Sequence, residues 1–292
     1  MHREALVAIE AQIATPREPY DTIHVRPLTP IIGAEIEGVD LSGEITNSQF
    51  AEVRRALLEH HVLVFRDQHL SGEDHKRFGR RFGRLHVHPL QAMREGDKER
   101  LEIKASRDSK YVAGEGWHAD VTCEAEPPMG SLLYLETTPA IGMGGDTLFA
   151  NMHLAFEMLS ASMKAFLETL TAVHDGAIPW VQGYGYRPNQ DFQVNEHPVV
   201  VRHPETGRKL LYVNRGFTSH IPQLARFESS ALLEMLYRHI ETQPALSCRV
   251  RWTPNTLVFW DNRCTQHQAI WDYYPLDRAG HRVSIVGERP TA

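Results

Sequence analysis

The sequence predicts a mainly β fold with flanking helices, namely a double-stranded β-helix or distorted jelly roll. Many short segments rich in β-branched and alternating apolar residues are bounded by turn residues, and few helical patterns lie between them. No low-complexity linker divides the 292 residues. Short strands in such number, with helices packed outside, are typical of this architecture. We therefore expect a single domain over residues 23–292, preceded by an N-terminal arm over residues 1–22.

The N-terminal part is predicted to contain one helix and two strands. The arm mixes charged, proline and apolar residues without a sustained period, so only a short helix over residues 4–13 is expected in it. Residues 23–28 and 34–41 are rich in β-branched residues and are separated by Pro30 and Gly33. This pattern predicts two strands joined by a turn.

Two capped helices flank a buried strand in the next segment. Thr46 or Asn47 supplies the N-cap of the first helix, and Ser71 caps the second, each ahead of an apolar face. The apolar run 62–65 between them predicts a short buried strand, and residues 101–105 predict another. Helices with one apolar face are expected to pack on the outside of a sheet.

The middle of the chain combines strands, a helical stretch and a long irregular segment. Residues 131–135 and 148–151 predict strands on either side of a glycine-rich turn. Apolar residues recur at helical spacing over residues 153–174, in two pieces around 160–162. Residues 176–197, which contain glycines, proline and aromatic residues, predict a long loop. Such loops commonly cover a site, so a lid and a plain surface loop are both open.

The C-terminal third supplies the remaining strands. Residues 199–213 predict a hairpin with favourable turn residues at its centre, and residues 228–241 predict an amphipathic helix. Residues 247–252, 256–260 and 282–287 complete the predicted strands. Together with the earlier strands they are sufficient in number for two sheets wound around one core.

Composition limits the compartment and the partners that can be expected for this protein. The three cysteines are odd in number and widely scattered, which favours a reducing compartment without a disulfide framework. The N-terminus resembles no signal peptide and no apolar run approaches transmembrane length, so a cytoplasmic protein without a membrane partner is expected. The formal net charge of −6 argues against nucleic acid as a partner, because nucleic-acid binding requires a basic face.

Two segments carry candidate metal ligands. His118 and Asp120 are two residues apart, so on an extended segment an imidazole and a carboxylate lie on one side of the chain. This pair alone is a weak signal. The apolar run 257–260 predicts a strand, and His267 is expected just past its end. Two histidines and one carboxylate that leave one face open form the iron site of non-haem Fe(II) oxygenases.

Four motifs resemble the taurine dioxygenase (TauD/TfdA) family of Fe(II)- and 2-oxoglutarate-dependent dioxygenases, which includes alkylsulfatases and aryloxyalkanoate herbicide dioxygenases. The motifs are Trp117-His118-Ala119-Asp120-Val121-Thr122, Gly144-Gly145-Asp146-Thr147, Trp260-Asp261-Asn262-Arg263 running on to His267, and Arg278 with His281-Arg282. They follow the family's order and span residues 23–290. The resemblance implies a cupin-like double-stranded β-helix that uses Fe(II), 2-oxoglutarate as co-substrate, and O2.

The resemblance also implies which residues bind iron and 2-oxoglutarate. His118, Asp120 and His267 match the metal ligands. Arg278, eleven residues after His267, matches the arginine that binds the distal carboxylate of 2-oxoglutarate, and Thr147 matches the threonine that donates a hydrogen bond to it. A guanidinium suits a carboxylate because it can donate two parallel hydrogen bonds. Without the resemblance, Arg278 would be interpreted as a solvated arginine.

Substrate recognition rests on four further positions. His88 and Arg282 match residues that bind the anionic group in sulfonate-using relatives, although a structural salt bridge is an alternative for Arg282. Taurine-using members hold the amine with an asparagine and a tyrosine where this chain has Gly114 and Gln91. Gln91 could still accept a hydrogen bond. An alkylsulfonate, a sulfate ester or another small acid therefore fits the sequence as well as taurine does.

The activity implied by the resemblance is hydroxylation of a small anionic substrate, with succinate and CO2 as co-products. An aryloxyalkanoate or other carboxylic acid is an alternative substrate of the same family. A zinc hydrolase and a non-catalytic anion-binding protein are the alternatives from other classes, because zinc accepts the same ligand types. Asp261 or Asn262 is a candidate to fix the tautomer of a ligand histidine. Relatives lead us to expect a homo-oligomer, either a dimer or a tetramer.

Overall fold

The computed structural model describes residues 3–89, 95–112, 114–187 and 189–292. Its helices are α1 (Arg3–Ala14), α2 (Asn47–His60), α3 (Gly72–Arg80), α4 (Met152–Glu157), α5 (Ala161–Leu167), α6 (Ile178–Tyr184) and α7 (Arg226–Glu241), with a 3-10 helix at Pro244–Leu246. Its strands are β1 (His24–Pro27), β2 (Ala34–Glu37), β3 (Val62–Phe65), β4 (Leu85–His86), β5 (Leu101–Ala105), β6 (Gly130–Thr137), β7 (Thr147–Asn151), β8 (Thr171–Asp175), β9 (Val194–Pro198), β10 (Val200–Arg202), β11 (Lys209–Leu211), β12 (Thr218–His220), β13 (Ser247–Val250), β14 (Thr256–Asp261), β15 (Thr265–Ala269) and β16 (Arg278–Ile285).

The strands form one large sheet and three small ones. The large sheet has the order β1-β2-β3-β14-β6-β16-β4, with β5 also paired to β16. Strands β13-β7-β15 and β12-β8-β9 form two three-stranded sheets, and β10 pairs with β11 as the predicted hairpin. All the pairs are antiparallel except β2 with β3. The mainly β, double-stranded β-helix class is confirmed.

The side-chain alternation of β14 divides the interior into two cores. Val258 and Trp260 belong to an inner core shared with Phe149 of β7, between the large sheet and the sheet β13-β7-β15. Leu257 and Phe259 point the other way, into an outer core formed with α2 and α3. Successive side chains of a strand face opposite sides, so an uninterrupted apolar run is buried on both faces.

Local sequence explains where the two outer helices begin. Thr46 caps α2 and Ser71 caps α3, each accepting a hydrogen bond from the backbone of the third helical residue. Gln49 and Asp74 complete the two capping boxes by accepting hydrogen bonds from the backbone N–H of the caps. Both predicted caps are confirmed. Reciprocal bonds of this kind satisfy N–H groups that have no partner within the helix.

The N-terminal helix α1 packs against the rest of the chain. Ala5 is buried in the inner core, and the amide of Gln12 donates to the carbonyl of Ile31 at 2.9 Å. The division into an arm and a domain starting at residue 23 stays a prediction. No helix in the described ranges is both long enough and apolar enough to cross a membrane.

Two predicted elements were wrong, and one strand next to the candidate site was missed. Residues 171–175 form β8 and do not continue a helix, because they pair with β9 on one side and β12 on the other. Residues 176–197 are not one long loop, since they contain α6 and most of β9. Strand β15 was not predicted, because its sequence is polar and has only a weak apolar pattern. It forms nevertheless because it pairs with β7. In all three places tertiary pairing overrides the local pattern.

Candidate active site

The two histidines of the candidate site face each other across an antiparallel bridge. The N–H of His118 donates to the carbonyl of His267 at 3.0 Å, and the N–H of His267 donates to the carbonyl of His118 at 2.8 Å. Residues paired in this way have side chains on the same face of the sheet. The two imidazole rings accordingly have centroids 4.2 Å apart.

The predicted position of His267 was wrong by one element. His267 does not follow β14 directly but lies in the middle of β15, opposite Phe149 of β7. Its ring stacks on Phe149 with centroids 5.8 Å apart and contacts Trp260 at 4.8 Å. Packing on both sides limits the ring orientations that are available to His267.

Asp120 completes a cluster of three potential ligands. One ring nitrogen each from His118 and His267 and one carboxylate oxygen of Asp120 all lie within 4.8 Å of one another. The separation between His118 Nε2 and Asp120 Oδ1 is 3.8 Å. Groups that are this close can share one cation, because ligand atoms bound to a common metal lie roughly 3–4 Å apart.

Hydrogen bonds orient two of the three side chains. His118 Nδ1 donates to the carbonyl of Gly116 at 2.7 Å, which leaves the lone pair on Nε2, the nitrogen that faces Asp120. Asp120 accepts from Ser131 Oγ at 2.8 Å through Oδ2 and from Arg282 Nη1 at 2.6 Å through Oδ1. Among the described residues, the buried His267 Nδ1 has no hydrogen-bond partner.

Burial and charge set the protonation of the three groups. Burial lowers the pKa of His118, and burial together with His118 lowers the pKa of His267 well below its ordinary value. Burial acts to raise the pKa of Asp120, but Arg282 and the two histidines outweigh it and hold that pKa far below its usual range. At neutral pH the cluster is therefore two neutral imidazoles and one carboxylate. This donor set fits a divalent cation such as Fe(II).

Asn262 and Asp261 support the site differently from the prediction. The Asn262 side chain accepts from the N–H of Asp120 at 2.7 Å and donates to its carbonyl at 3.0 Å. It therefore fixes the backbone of a ligand residue, not the tautomer of a histidine. Asp261 is paired with Arg263 at 2.7 Å and with His203 at 3.0 Å, away from the ligands.

Arg278 begins β16 and is buried without a carboxylate partner. Only 4% of its surface is exposed, and no carboxylate of the described residues lies within ion-pair distance of it. Its Nη2 lies 3.4 Å from Thr147 Oγ1, which also accepts from Trp252 Nε1 at 3.0 Å. Burial lowers the pKa of Arg278, although not enough to neutralise a guanidinium. A buried cation without an anion is strongly destabilising, so this site favours an anionic ligand.

A cavity of about 770 Å³ joins these groups. Its lining includes the three potential ligands, Thr147 and Arg278. The segment predicted as a loop or lid contributes aromatic residues, Trp180 and Phe192, and polar ones that include Asp191 and Gln193, and Phe217 lines the cavity from a later loop. The cavity is large enough for two small molecules beside a metal ion.

The predicted substrate residues are only partly accounted for. His88, Arg282 and Gly114 line the cavity, whereas Gln91 lies outside the described residues. Arg282 forms the salt bridge that the sequence left as an alternative, and its partner is Asp120. Its Nε is buried and has no hydrogen-bond partner among the described residues, and the side chain also lines the cavity.

One residue next to the site had no signal in the sequence. A Cβ atom on Gly216 would lie 2.6 Å from His118 Cβ, so a side chain there would displace the histidine. The loop that holds Gly216 is anchored by Asn214, whose Nδ2 donates to Thr122 Oγ1 at 3.0 Å. Such a close approach between loop and ligand is a property of the tertiary structure, and a glycine in a short loop does not reveal it.

Several known proteins are similar to this chain in sequence and in fold. The family described as "Taurine catabolism dioxygenase TauD, TfdA family" matches residues 24–284. An α-ketoglutarate-dependent sulfonate dioxygenase of Saccharomyces cerevisiae is 34% identical, over 94% of this chain and 69% of its own. An alkylsulfatase of Acinetobacter baylyi is 33% identical, over 94% of this chain and 88% of its own. A crystal structure of a taurine dioxygenase from Burkholderia xenovorans superposes with a TM-score of 0.79 at 37% identity, covering 92% of this chain and 93% of that one.

Proposed function

This chain belongs to the taurine catabolism dioxygenase TauD, TfdA family and is an Fe(II)- and 2-oxoglutarate-dependent dioxygenase, and on that premise we propose that it hydroxylates a small organic sulfonate or sulfate ester. The observation that best supports the proposal is the shared cavity. The convergent ligand set His118, Asp120 and His267 and the unneutralised guanidinium of Arg278 line the same 770 Å³ space. A hydrolase would need the metal ligands but has no use for the buried arginine.

We assign iron binding to His118, Asp120 and His267. The hydrogen bond to Gly116 presents Nε2 of His118 in its unprotonated form, and Asn262 holds the backbone that carries Asp120. When bound, the iron and 2-oxoglutarate supply the redox chemistry, in which O2 is consumed, the co-substrate becomes succinate and CO2, and a C–H bond is hydroxylated. The protein's own contribution is to position the reactants and exclude water.

We assign the distal carboxylate of 2-oxoglutarate to Arg278 and Thr147. Trp252 donates to Thr147 Oγ1, which leaves the hydroxyl hydrogen of Thr147 free to donate to an anion. Arg278 sits 5.3 Å from the centre of the Trp252 ring, so the guanidinium and the hydroxyl are held side by side. Two such donors and a full positive charge match a carboxylate.

We assign the anionic head of the substrate to Arg282, with His88 on the cavity wall. Nη1 of Arg282 is used by Asp120, whereas Nε has no partner among the described residues. Arg282 would then contact the metal carboxylate and the substrate anion together. Hydroxylation of the carbon next to the anionic group would give an unstable product that collapses to a carbonyl compound and releases sulfite or sulfate.

An aromatic carboxylic acid, such as an aryloxyalkanoate, is the second candidate substrate. The observation that favours it is the set of aromatic residues Trp180, Phe192 and Phe217 in the cavity lining. These side chains could contact the aromatic ring of such a substrate by stacking or edge-to-face packing. The same side chains would also cover the alkyl chain of a sulfonate. The head group therefore distinguishes the two candidates better than the apolar part does.

Succinate release over a head-group series tests the proposal. Alkylsulfonate, alkyl sulfate, alkyl carboxylate and alcohol of one chain length would be assayed with Fe(II), 2-oxoglutarate and O2, together with taurine and an aryloxyacid. We expect substrate-dependent succinate with the sulfonate or the sulfate ester, accompanied by an equal amount of sulfite or sulfate. Succinate with the carboxylates alone would favour the second candidate. Zinc-dependent ester cleavage without O2 would contradict a dioxygenase. Light scattering of the same preparation tests the homo-oligomer that we expect.

A further inference from the structure

A second group of potential metal ligands lies beneath the active site. His61 is the C-cap residue that follows α2, His153 lies in α4, and Cys264 lies in the turn between β14 and β15. One ring nitrogen of each histidine and the Cys264 sulfur all lie within 4.8 Å of one another. Each residue is at most 1% exposed. From these observations we propose that His61, His153 and Cys264 form a structural metal site for a thiophilic d10 cation, Zn(II) or Cu(I).

His153 has the hydrogen bonding expected of a metal ligand. His153 Nδ1 donates to the carbonyl of Lys209 at 2.9 Å, which places the lone pair on Nε2. Among the described residues, the buried His153 Nε2 has no hydrogen-bond partner, whereas His61 Nδ1 lies 3.6 Å from the Cys264 sulfur, within hydrogen-bond distance. Leaving buried nitrogens unpaired is costly, so each such atom in a native structure requires an explanation.

The chemistry of the three groups suits a soft cation. Burial lowers the pKa of His61 well below its ordinary value and that of His153 to about 3, so both rings are neutral. The Cys264 sulfur lies 3.6 Å from His61 Nδ1, close to the roughly 3.5 Å between two ligands of one zinc ion. Burial raises the pKa of the Cys264 thiol, so binding would release its proton. A site made of thiolate and imidazole ligands favours Zn(II) or Cu(I), unlike the carboxylate-containing site proposed for iron.

A neighbouring cluster of similar residues provides a comparison, because its histidine is fully hydrogen-bonded. His203, Asp261 and Cys264 also lie within 4.8 Å of one another. However, His203 Nδ1 accepts two backbone N–H groups and Nε2 donates to Asp261 at 3.0 Å. Both ring nitrogens of His203 are therefore satisfied within the protein. Of these two clusters, only that of His61, His153 and Cys264 contains a histidine with an unpaired ring nitrogen.

The charges around the proposed site limit the cation. Arg208, which is exposed, is close enough to lower the pKa of both His61 and His153. Its positive charge stabilises a thiolate at Cys264 but opposes an added cation. Asp261 offers little compensation, because Arg263 already neutralises it. A monovalent ion consequently suffers less repulsion here than a divalent one, so Cu(I) is a candidate as well as Zn(II).

A metal here would secure the strand that carries His267. The N–H of Met152 donates to the carbonyl of Cys264 at 3.0 Å, and Cys264 is three residues before His267. His61 is tied to the same turn, since its carbonyl accepts from the N–H of Asp261 at 2.9 Å. Binding would therefore link the end of α2 and the start of α4 to the first residue before β15.

Anaerobic titration of the apoprotein with Co(II) tests the proposal, because cobalt bound to a thiolate gives a near-ultraviolet charge-transfer band. The iron ligands contain no sulfur, so cobalt bound there gives no such band. We expect the band in the wild type and in Cys248→Ser, which removes a second buried thiol, and no band in Cys264→Ser. No band in the wild type, together with no retention of Cu(I) in the metal analysis below, would overturn the proposal in favour of buried water. A band that persists in Cys264→Ser would also overturn it.

Metal analysis supplies a readout that does not require the cysteine variant to fold. The His118→Ala variant, weakened at the iron ligands, would be incubated with Zn(II) or, under reducing conditions, with Cu(I), and then desalted. We expect it to retain about one equivalent of at least one of these ions per chain. The ion that is retained identifies the cation, and retention of neither would overturn the proposal. These outcomes are independent of the substrate and of dioxygenase activity.

Discussion

Arg282 and Asp120 form a buried ion pair in which Nη1 lies 2.6 Å from Oδ1. Ser131 donates to the other oxygen of Asp120 at 2.8 Å, so both oxygens of the proposed metal carboxylate are held in place. The same guanidinium lines the cavity and keeps one donor, Nε, without a partner among the described residues. If the proposed assignments hold, this one side chain couples the charge at the metal to the charge on the substrate.

Replacing Arg282 by leucine is expected to raise the Michaelis constant for an anionic substrate by about 10- to 100-fold, as for the loss of a charged hydrogen bond. Initial rates over a substrate series measure it. Ser131→Ala is the matched control, because Ser131 contacts Asp120 but does not line the cavity. A Michaelis constant that Arg282→Leu leaves unchanged would remove this residue from substrate binding.

Replacing Arg278 by alanine is expected to weaken 2-oxoglutarate binding by about 100-fold, or roughly 3 kcal/mol, as for removing one member of a buried charge pair. Iron affinity should change little, since Arg278 contacts Thr147 and Trp252 and none of the proposed ligands. Equilibrium binding of each component measures both effects. Arg249→Ala is the control, because this half-exposed arginine pairs with Asp146. Equal loss of iron and 2-oxoglutarate would contradict the assignment.

Alanine at position 216 is expected to displace His118, because the added Cβ would lie 2.6 Å from the histidine Cβ. A displacement of this kind commonly costs about 10- to 100-fold in rate, and kcat/KM for 2-oxoglutarate turnover measures it. Gly116→Ala is the control in the loop that carries His118, since a Cβ there meets no atom within 4 Å. Equal activity of the two variants would show that the loop holding residue 216 shifts and that His118 stays in place.

Asp261 is expected to stabilise the fold in a pH-dependent way. Burial acts to raise its pKa, but Arg263 and His203 hold that pKa far below its ordinary value. A depressed carboxyl pKa stabilises the protein above the unfolded pKa of about 4, and this stabilisation declines as the pH falls below it. Asp261→Asn should therefore lower the free energy of unfolding by about 3–5 kcal/mol at pH 7, as expected when a buried pair is broken.

Urea unfolding of the wild type and Asp261→Asn at pH 7, 5 and 3 measures this effect. The difference between the two proteins should shrink by about 1 kcal/mol from pH 5 to pH 3, because the unfolded carboxyl is protonated first. Asp108→Asn, at an exposed loop position, is the control and should show no such trend. A difference that stays constant with pH would mean that the charge of Asp261 does not contribute.

The sequence by itself determined the class of fold, the caps of α2 and α3, the buried strand β14 and the family. Each of these depends on short-range patterns, such as a capping residue ahead of an apolar face, an apolar run, or a motif at fixed spacing. It also singled out His118, Asp120 and His267 as candidate ligands by residue type. Their role as ligands remains a proposal, although the tertiary structure brings them together.

Only the tertiary structure decided how these residues are held. Strand β15, which carries His267, forms because β7 pairs with it, although its own sequence is polar. The partner of Arg282 is Asp120, 162 residues away, and Gly216 approaches His118 from a loop without a recognisable motif. Sequence patterns report the faces of single elements, whereas these contacts depend on which elements the fold places opposite one another.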